Sequence, residues 1–438
     1  MPDSAAALRP RGTASVSSGS LYKAVWRWHF YAGLFSMPVL LTLSGTGAIY
    51  LFDTQIEEIL YRDDYFVEPP NTAMKSASAL RDAITIGEEE QLITYFPPAA
   101  PNRSAAFSLL YDRNKIRNVY VNPYTGAALG EIKSDARIMD TIKRIHALEI
   151  FGGFANRLVE CVAGWTVVLF VTGAYLWWPR SAWRTALSVR GRPVQRTFWR
   201  DVHRVIGIAA GGVLCLQAVT GLPWSRVWGE ISQRLIDATG QGIPPMVRND
   251  RPQSTGDARA VDIGLDRVVA IAEEKEFPPG YGVSIPSTPQ GVYTIMNLIP
   301  DDPAGQRVVH IDRYSGAVIE DIAFSAYGAA SKIREYGYAW HQGNLLGTAN
   351  RLLLLAACVS VWALAATGIV MWWKRRPERG GLATPPLADR REARLVFAIT
   401  ALVSLAFPLT MVSLLVLAAM DACVSALRPE RRTPGVQP

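Results

Sequence analysis

Apolar positions in this chain fall into long runs rather than scattered clusters. Runs at 30–51, 158–178, 205–224, 352–373 and 395–420 are each about 20 residues long, the length that spans a bilayer. Pro408 interrupts the last of them. Two long mixed segments, 52–157 and 225–351, lie between the runs, and each has the patterning of an α+β domain. In the second segment, Asp262, Leu265, Val268, Val269, Ile271 and Ala272 have helical spacing over 262–276. Stretches 283–285, 291–296, 307–312 and 317–319 read as strands. The first segment offers a helix over 78–86 and strands over 106–111 and 118–122. The predicted fold is a membrane protein: an α-helical transmembrane bundle of four core helices plus a fifth C-terminal span, carrying two α+β domains on one side.

The pattern repeats. His29 and Gly33, with Thr46-Gly47 further on, recur 174 residues later as His203 and Gly207 with Thr220-Gly221. Val121-Asn122-Pro123-Tyr124-Thr125-Gly126 is echoed by Ile311-Asp312-Arg313-Tyr314-Ser315-Gly316. His146 with Gly153-Phe154-Ala155-Asn156-Arg157-Leu158 is echoed by His341 with Gly347-Thr348-Ala349-Asn350-Arg351-Leu352. Both copies close on Thr-Gly and Trp-Trp: Thr172-Gly173 with Trp177-Trp178, and Thr367-Gly368 with Trp372-Trp373. The unit is therefore span, domain, span, present twice in the same sense, with the fifth span outside it. Parallel repeats of this kind also build transporters, so duplication alone fixes no function.

Charge orients the spans. The net charge is +7, but its placement says more. Arg180, Arg184, Arg190, Arg192, Arg196 and Arg200 crowd the 179–200 loop without an acid. Lys374, Arg375, Arg376, Arg379, Arg390, Arg391 and Arg394 fill 374–394, and Arg9, Arg11, Lys23 and Arg27 precede the first span. The positive-inside rule places these stretches in the cytoplasm and both mixed domains outside. Topology accounts for the basic loops, so no nucleic-acid partner is expected. The first 20 residues lack an apolar core and are no cleavable signal peptide. The expected organisation is a disordered tail at 1–20, spans with their flanks at 21–51, 146–180, 201–224, 341–374 and 395–420, domains at 52–145 and 225–340, basic loops at 181–200 and 375–394, and a basic tail at 421–438. Cys161, Cys215, Cys358 and Cys423 all lie in apolar runs with no CxxC spacing, and read as packing residues. No Gly-rich nucleotide loop and no nucleophile constellation occurs.

The candidate chemistry is carried by histidine. Four of five histidines, His29, His146, His203 and His341, flank apolar runs; His310 lies on a predicted strand and reads as a satisfied residue. A lone interfacial histidine is ordinarily a bland polar group; repetition at duplicated positions makes these four ligand candidates. By depth they form an inner pair, His29 with His203, and an outer pair, His146 with His341. Each pair suits two axial imidazoles on one haem iron, and iron with both axial positions filled carries electrons rather than oxygen. Thirty-two residues separate His146 from Trp178, and likewise His341 from Trp373. A straight helix of that length is about 48 Å against a core of about 30 Å. The outer pair is thus expected at or above the outer interface, with helix breaks at Gly152-Gly153 and at Gly343 or Gly347. Arg157 and Arg351 at the outer pair, and Arg204 with Arg27 and Arg200 at the inner, are candidate partners for haem propionates, although snorkelling also explains them. Thr-Gly is read as close helix packing.

Trp28-His29-Phe30-Tyr31-Ala32-Gly33, His146 with the run ending Trp177-Trp178-Pro179-Arg180, Trp199-Arg200-Asp201-Val202-His203, and His341 with the run ending Trp372-Trp373-Lys374-Arg375 resemble the PepSY-associated transmembrane family. Within it, the chain is similar to inner-membrane ferric-siderophore reductases of the ferrioxamine-reductase kind. The two Tyr-Thr/Ser-Gly turns resemble the ends of PepSY domains. The resemblance covers about residues 20–377 and implies two periplasmic PepSY domains, two b-type haems and reduction of a ferric siderophore at a bacterial inner membrane. The electron donor stays open between quinol and a cytoplasmic reductase. The competing readings are a non-enzymatic PepSY sensor or protease-regulating module, and a siderophore transporter, which is disfavoured by the scarcity of intramembrane acids such as Glu160.

Overall fold

The computed structural model describes residues 18–112, 115–179, 183–248, 250–255, 261–298, 300, 302–376, 385–386 and 389–427. Most of the expected 1–20 tail, much of the 375–394 loop and the end of the 421–438 tail lie outside these residues, as do Arg9, Arg11, Arg180 and Arg379. In chain order the principal helices are α1 (Ser18–Tyr50), α2 (Ala77–Asp82), α3 (Ile138–His146), α4 (Gly153–Trp177), α5 (Arg196–Gly221), α6 (Val227–Ala238), α7 (Gly264–Glu274), α8 (Ala329–His341), α9 (Gly347–Trp373), α10 (Arg390–Ser404) and α11 (Pro408–Leu427). The strands are β1 (Gln91–Phe96), β2 (Ala105–Tyr111), β3 (Lys115–Val121), β4 (Ala128–Lys133), β5 (Gly282–Ser284), β6 (Tyr293–Asn297), β7 (Arg307–Ile311) and β8 (Val318–Ala323).

Four helices, α1, α4, α5 and α9, are long and apolar enough to cross a membrane, by length and composition among the described residues. They close into a ring in which α1 packs on α4, α4 on α5, α5 on α9 and α9 on α1. The two repeats therefore face each other, with α1 diagonal to α5 and α4 diagonal to α9. The strands gather at one end of this bundle and the basic loops at the other.

The run expected as the fifth span is broken into a hairpin of two helices. Its helix breaks at residues 405–407, because Pro408 has no N–H to donate and pushes Phe407 out of helical backbone. α10 runs antiparallel to α4: Val396 packs with Tyr175 and Leu176, and further along Val403 packs with Val168. α11 then returns beside α4, where Thr410 donates to the Cys161 carbonyl (2.9 Å) and Trp165 Nε1 to Ser413 Oγ (2.9 Å). Cys161 is buried in this apolar seam, as a packing residue should be.

The strands form one antiparallel sheet in the order β4-β3-β2-β1-β5-β6-β7-β8. Each repeat supplies a four-stranded meander, and the meanders join where Thr94 and Tyr95 of β1 pair with Ser284 and Val283 of β5. The two expected domains are thus one body. α2 and α7 cover one face, and a single core runs from Leu80, Phe107 and Val119 to Val268, Ile295 and Val309. Strand expectations held at β2, β3, β5, β6, β7 and β8; β1 and β4 were not anticipated. The repeated turns are alike in geometry. Asn122 Oδ1 accepts from the amides of Tyr124 and Thr125, Asp312 Oδ1 from those of Tyr314 and Ser315, and Gly126 (φ +80°) and Gly316 (φ +72°) take the left-handed backbone that a Cβ disfavours.

Candidate functional site: two histidine pairs at the ends of the bundle

Each of the four flanking histidines reaches across to a threonine on a neighbouring helix. His29 Nδ1 lies 2.9 Å from Thr172 Oγ1, and His203 Nδ1 lies 2.9 Å from Thr367 Oγ1. His146 Nδ1 lies 2.9 Å from Thr46 Oγ1, and His341 Nδ1 lies 3.2 Å from Thr220 Oγ1. Those four threonines are the ones in the repeated Thr-Gly pairs. The glycine makes room for the ring: a Cβ on Gly173, Gly47 or Gly221 would meet the histidine Cε1 at 3.3, 3.4 and 2.8 Å respectively, and on Gly368 at 3.9 Å. The Thr-Gly pairs, read from sequence as packing, are histidine seats.

The seats fix the tautomer. A threonine hydroxyl has one hydrogen, and here it goes to the carbonyl one turn back. Thr172 donates to Val168 (2.6 Å), Thr367 to Ala363 (2.8 Å), Thr46 to Thr42 (2.7 Å) and Thr220 to Leu216 (2.8 Å). Toward the histidine each oxygen can only accept, so Nδ1 carries the proton. The Leu364 carbonyl, 3.2 Å from His203 Nδ1, requires the same. Leu169, Leu43 and Gln217 present the corresponding carbonyls to the other three rings. Nε2 is then an unprotonated lone pair, and none of the four forms a hydrogen bond through it among the described residues. This is the state in which imidazole binds a metal, with its other nitrogen held by a second residue.

His29 and His203 come from diagonal helices to within 6.4 Å between ring centroids, with planes at 88°. A transition-metal ion sits about 2 Å from an imidazole nitrogen, so two rings sharing one ion have centroids roughly 6 Å apart. His146 and His341 occupy the equivalent positions at the sheet end. His146 stands level with Thr46, within the last turns of α1. The chain breaks there as expected: Leu148 (φ +53°) follows the end of α3 and Gly152 (φ +92°) caps α4, while in the second copy Gly343 (φ +82°) follows the end of α8 and Gly347 (φ +56°) opens α9.

A family described as the PepSY-associated TM region matches residues 26–375, a stretch that contains all four histidines and all four seats. The chain belongs to this family. No curated protein matches it. The family match ends before the α10–α11 hairpin, which lies outside the duplicated unit.

His310 is buried, with Nδ1 on Thr294 Oγ1 (2.9 Å) and Nε2 on the Met246 carbonyl (3.0 Å). Burial lowers its proton affinity. Both nitrogens are engaged, as a satisfied structural histidine requires. The expected arginines divide. Arg157 is exposed. Arg27 donates to the Pro385 carbonyl. Arg200 and Arg204 gather with Arg190 around Asp201, which is fully buried and was missed as their counterion. Arg204 Nε and Arg351 Nε are nevertheless buried with no hydrogen-bond partner. Around His341, so are Trp340 Nε1, Gln217 Oε1 and Asn350 Oδ1. Buried polar atoms without partners are rare in folded proteins and mark where an absent group belongs. Among the described residues no group of three or more His, Cys, Asp and Glu could hold a metal ion by protein ligands alone. A donor set of two opposed imidazoles suits an ion whose remaining positions are filled by a macrocycle, so the residues present fit haem.

Proposed function

We propose that this PepSY-associated membrane protein is a two-haem electron carrier that reduces a ferric chelate, of the siderophore class, at the sheet end of the bundle. The observation that carries the reading is the fourfold seat: every flanking histidine has Nδ1 protonated on a threonine and Nε2 free. His29 and His203 would hold one haem b, and His146 and His341 the other. Bound in this way, haem supplies one-electron transfer without an open oxygen site. The chain's own part is to fix four imidazoles in one tautomer, diagonally opposed, at two depths. From His29 to Thr46, which seats His146, α1 rises about 25 Å, so the two pairs serve opposite ends of one bundle. By the positive-inside rule the arginine-rich end is cytoplasmic and the sheet end periplasmic. Electrons would enter from a quinol or a cytoplasmic reductase and leave at His146 and His341. One electron converts Fe(III) to Fe(II), which hard oxygen donors hold less tightly, and the iron is released.

The test is a pyridine-haemochrome assay on detergent-purified protein. We expect about two b-type haems per chain, one lost in His29→Ala and the other in His146→Ala. Dithionite-reduced protein should then be reoxidised by a ferric hydroxamate, with Fe(II) trapped by ferrozine. A wild-type protein without a Soret band would sink the reading and leave the joined sheet as a binding or sensor module.

A further inference from the structure

Among the half-buried arginines of the bundle, Arg27 and Arg204 end on a carbonyl or a carboxylate. Arg196, the first residue of α5, and Arg375, just past α9, do not. Both guanidinium groups come to one indole: Arg375 lies 4.9 Å from the Trp26 ring centroid and 5.4 Å from that of Phe30, and Arg196 lies 6.0 Å from Trp26. The Nε of each is buried with no hydrogen-bond partner. Among the described residues no acid pairs with either. Asp201, the acid nearest Arg196 in sequence, is already shared by Arg190, Arg200 and Arg204. Burial, and then the charge of Arg196, hold Arg375 below the usual guanidinium range. Two like charges gathered at one aromatic face and partly withdrawn from water are costly unless an anion joins them. The described residues supply none.

The position of this cluster is informative. Arg196 precedes His203 by seven residues, two turns of α5, and so shares its face about 10 Å nearer the arginine-rich end. Trp26 precedes His29 by three residues on α1 and shares that face likewise. Arg375 lies two turns beyond Thr367, the seat of His203. The cluster therefore stands directly beyond the His29–His203 pair along the bundle axis.

We propose that Arg196, Arg375 and Trp26 form an anion clamp that binds an anionic oxygen group, carboxylate or phosphate, at the arginine-rich end of the bundle. Guanidinium recognises both through paired N–H donors, and Trp26 keeps the two side chains ordered beneath it. Two sources offer that chemistry. One is a propionate of the haem assigned to His29 and His203, an assignment that rests on the proposed function; the other is the phosphate of an anionic lipid, which does not. We favour the propionate, because the clamp shares the helix faces of that histidine pair.

The experiment compares wild type with Arg196→Gln, Arg375→Gln and the double variant, and with Arg267→Gln on α7 as a control. In the first arm the two haems are titrated electrochemically and their retention is followed under dilution. A propionate in the clamp predicts that the haem lost in His29→Ala shifts to lower potential and dissociates roughly tenfold faster or more in the double variant, since charge-assisted bonds are lost. The other haem and the Arg267→Gln protein stay unchanged, and Arg375→Lys, which keeps the charge, retains most of the potential. In the second arm native mass spectrometry counts phosphatidylglycerol retained from mixed phosphatidylglycerol–phosphatidylcholine nanodiscs. A lipid phosphate predicts retention by wild type, loss in the double variant and no change in either haem. If the double variant does not fold, the single variants decide by the same shifts at smaller size. Identical behaviour of all proteins in both arms overturns the clamp. A haem-free wild type overturns the proposed function instead, and the lipid arm alone then decides the clamp.

Discussion

At the scale of single residues, the informative groups are the threonines rather than the histidines. A histidine at a membrane interface carries many roles; one whose Nδ1 proton is fixed by an acceptor-only oxygen carries few. Thr172→Val keeps the shape and removes that acceptor, leaving His29 Nδ1 without a side-chain partner. The expected result is retention of the fold with roughly ten- to a hundredfold weaker binding of one haem, as for other residues that orient metal ligands. Thr172→Ser should restore it. Haem content at graded haemin concentrations measures both; equal affinity in wild type and Thr172→Val would show that the seat is packing alone.

At the scale of elements, the repeated turns offer a built-in comparison. Asn122 and Asp312 make the same turn with different chemistry. Burial alone would raise the Asp312 carboxyl, but the amides of Ser315, Thr255 and Tyr314, with the Ser315 hydroxyl, bring it from 3.8 down to about 2. A depressed carboxyl contributes stability that is present above its unfolded value and lost as pH falls through the folded one. The turn at 312–316 is therefore expected to lose hydrogen-exchange protection between about pH 4 and pH 2, after correction for intrinsic rates. The turn at 122–126, built on a neutral amide, should not, and Asp312→Asn should remove the difference. Loops of the two repeats responding alike to acid would contradict this assignment.

At the scale of the whole molecule, the joined sheet couples the repeats. Val283 is fully buried in β5 and pairs with Tyr95 across the junction of the meanders. Val283→Pro removes a ladder donor at that junction. If the sheet is one cooperative body, exchange protection should fall in β2 and β3 of the first repeat as well as in β6 and β7 of the second. Loss confined to the second repeat would mean that each meander folds alone. Coupling of this kind holds the segments that lead from the sheet into α3 and α8, and with them His146 and His341, in fixed register at the sheet end of the bundle.

Composition and local pattern determined a good deal. Four spans, the duplication, the pairing of histidines by depth, most strands and the helix breaks beside Gly152 and Gly343 were legible, because each depends on residue type, run length or repeat spacing within a short window. The tertiary structure decided the rest. Thr172 meets His29 from 143 residues away and Thr367 meets His203 from 164, and nothing in a Thr-Gly dipeptide distinguishes a seat from a close helix contact. The β1–β5 junction is made by backbone hydrogen bonds, which any pair of extended edges can form and no side-chain pattern announces. Asp201 and the Arg196–Arg375 pair differ in what surrounds them: alike in sequence as charges near a membrane, one is a counterion shared by three arginines and the other finds no acid among the described residues. Spacing fixes which residues lie on a face, but partners contributed by distant helices exist only once the chain has closed.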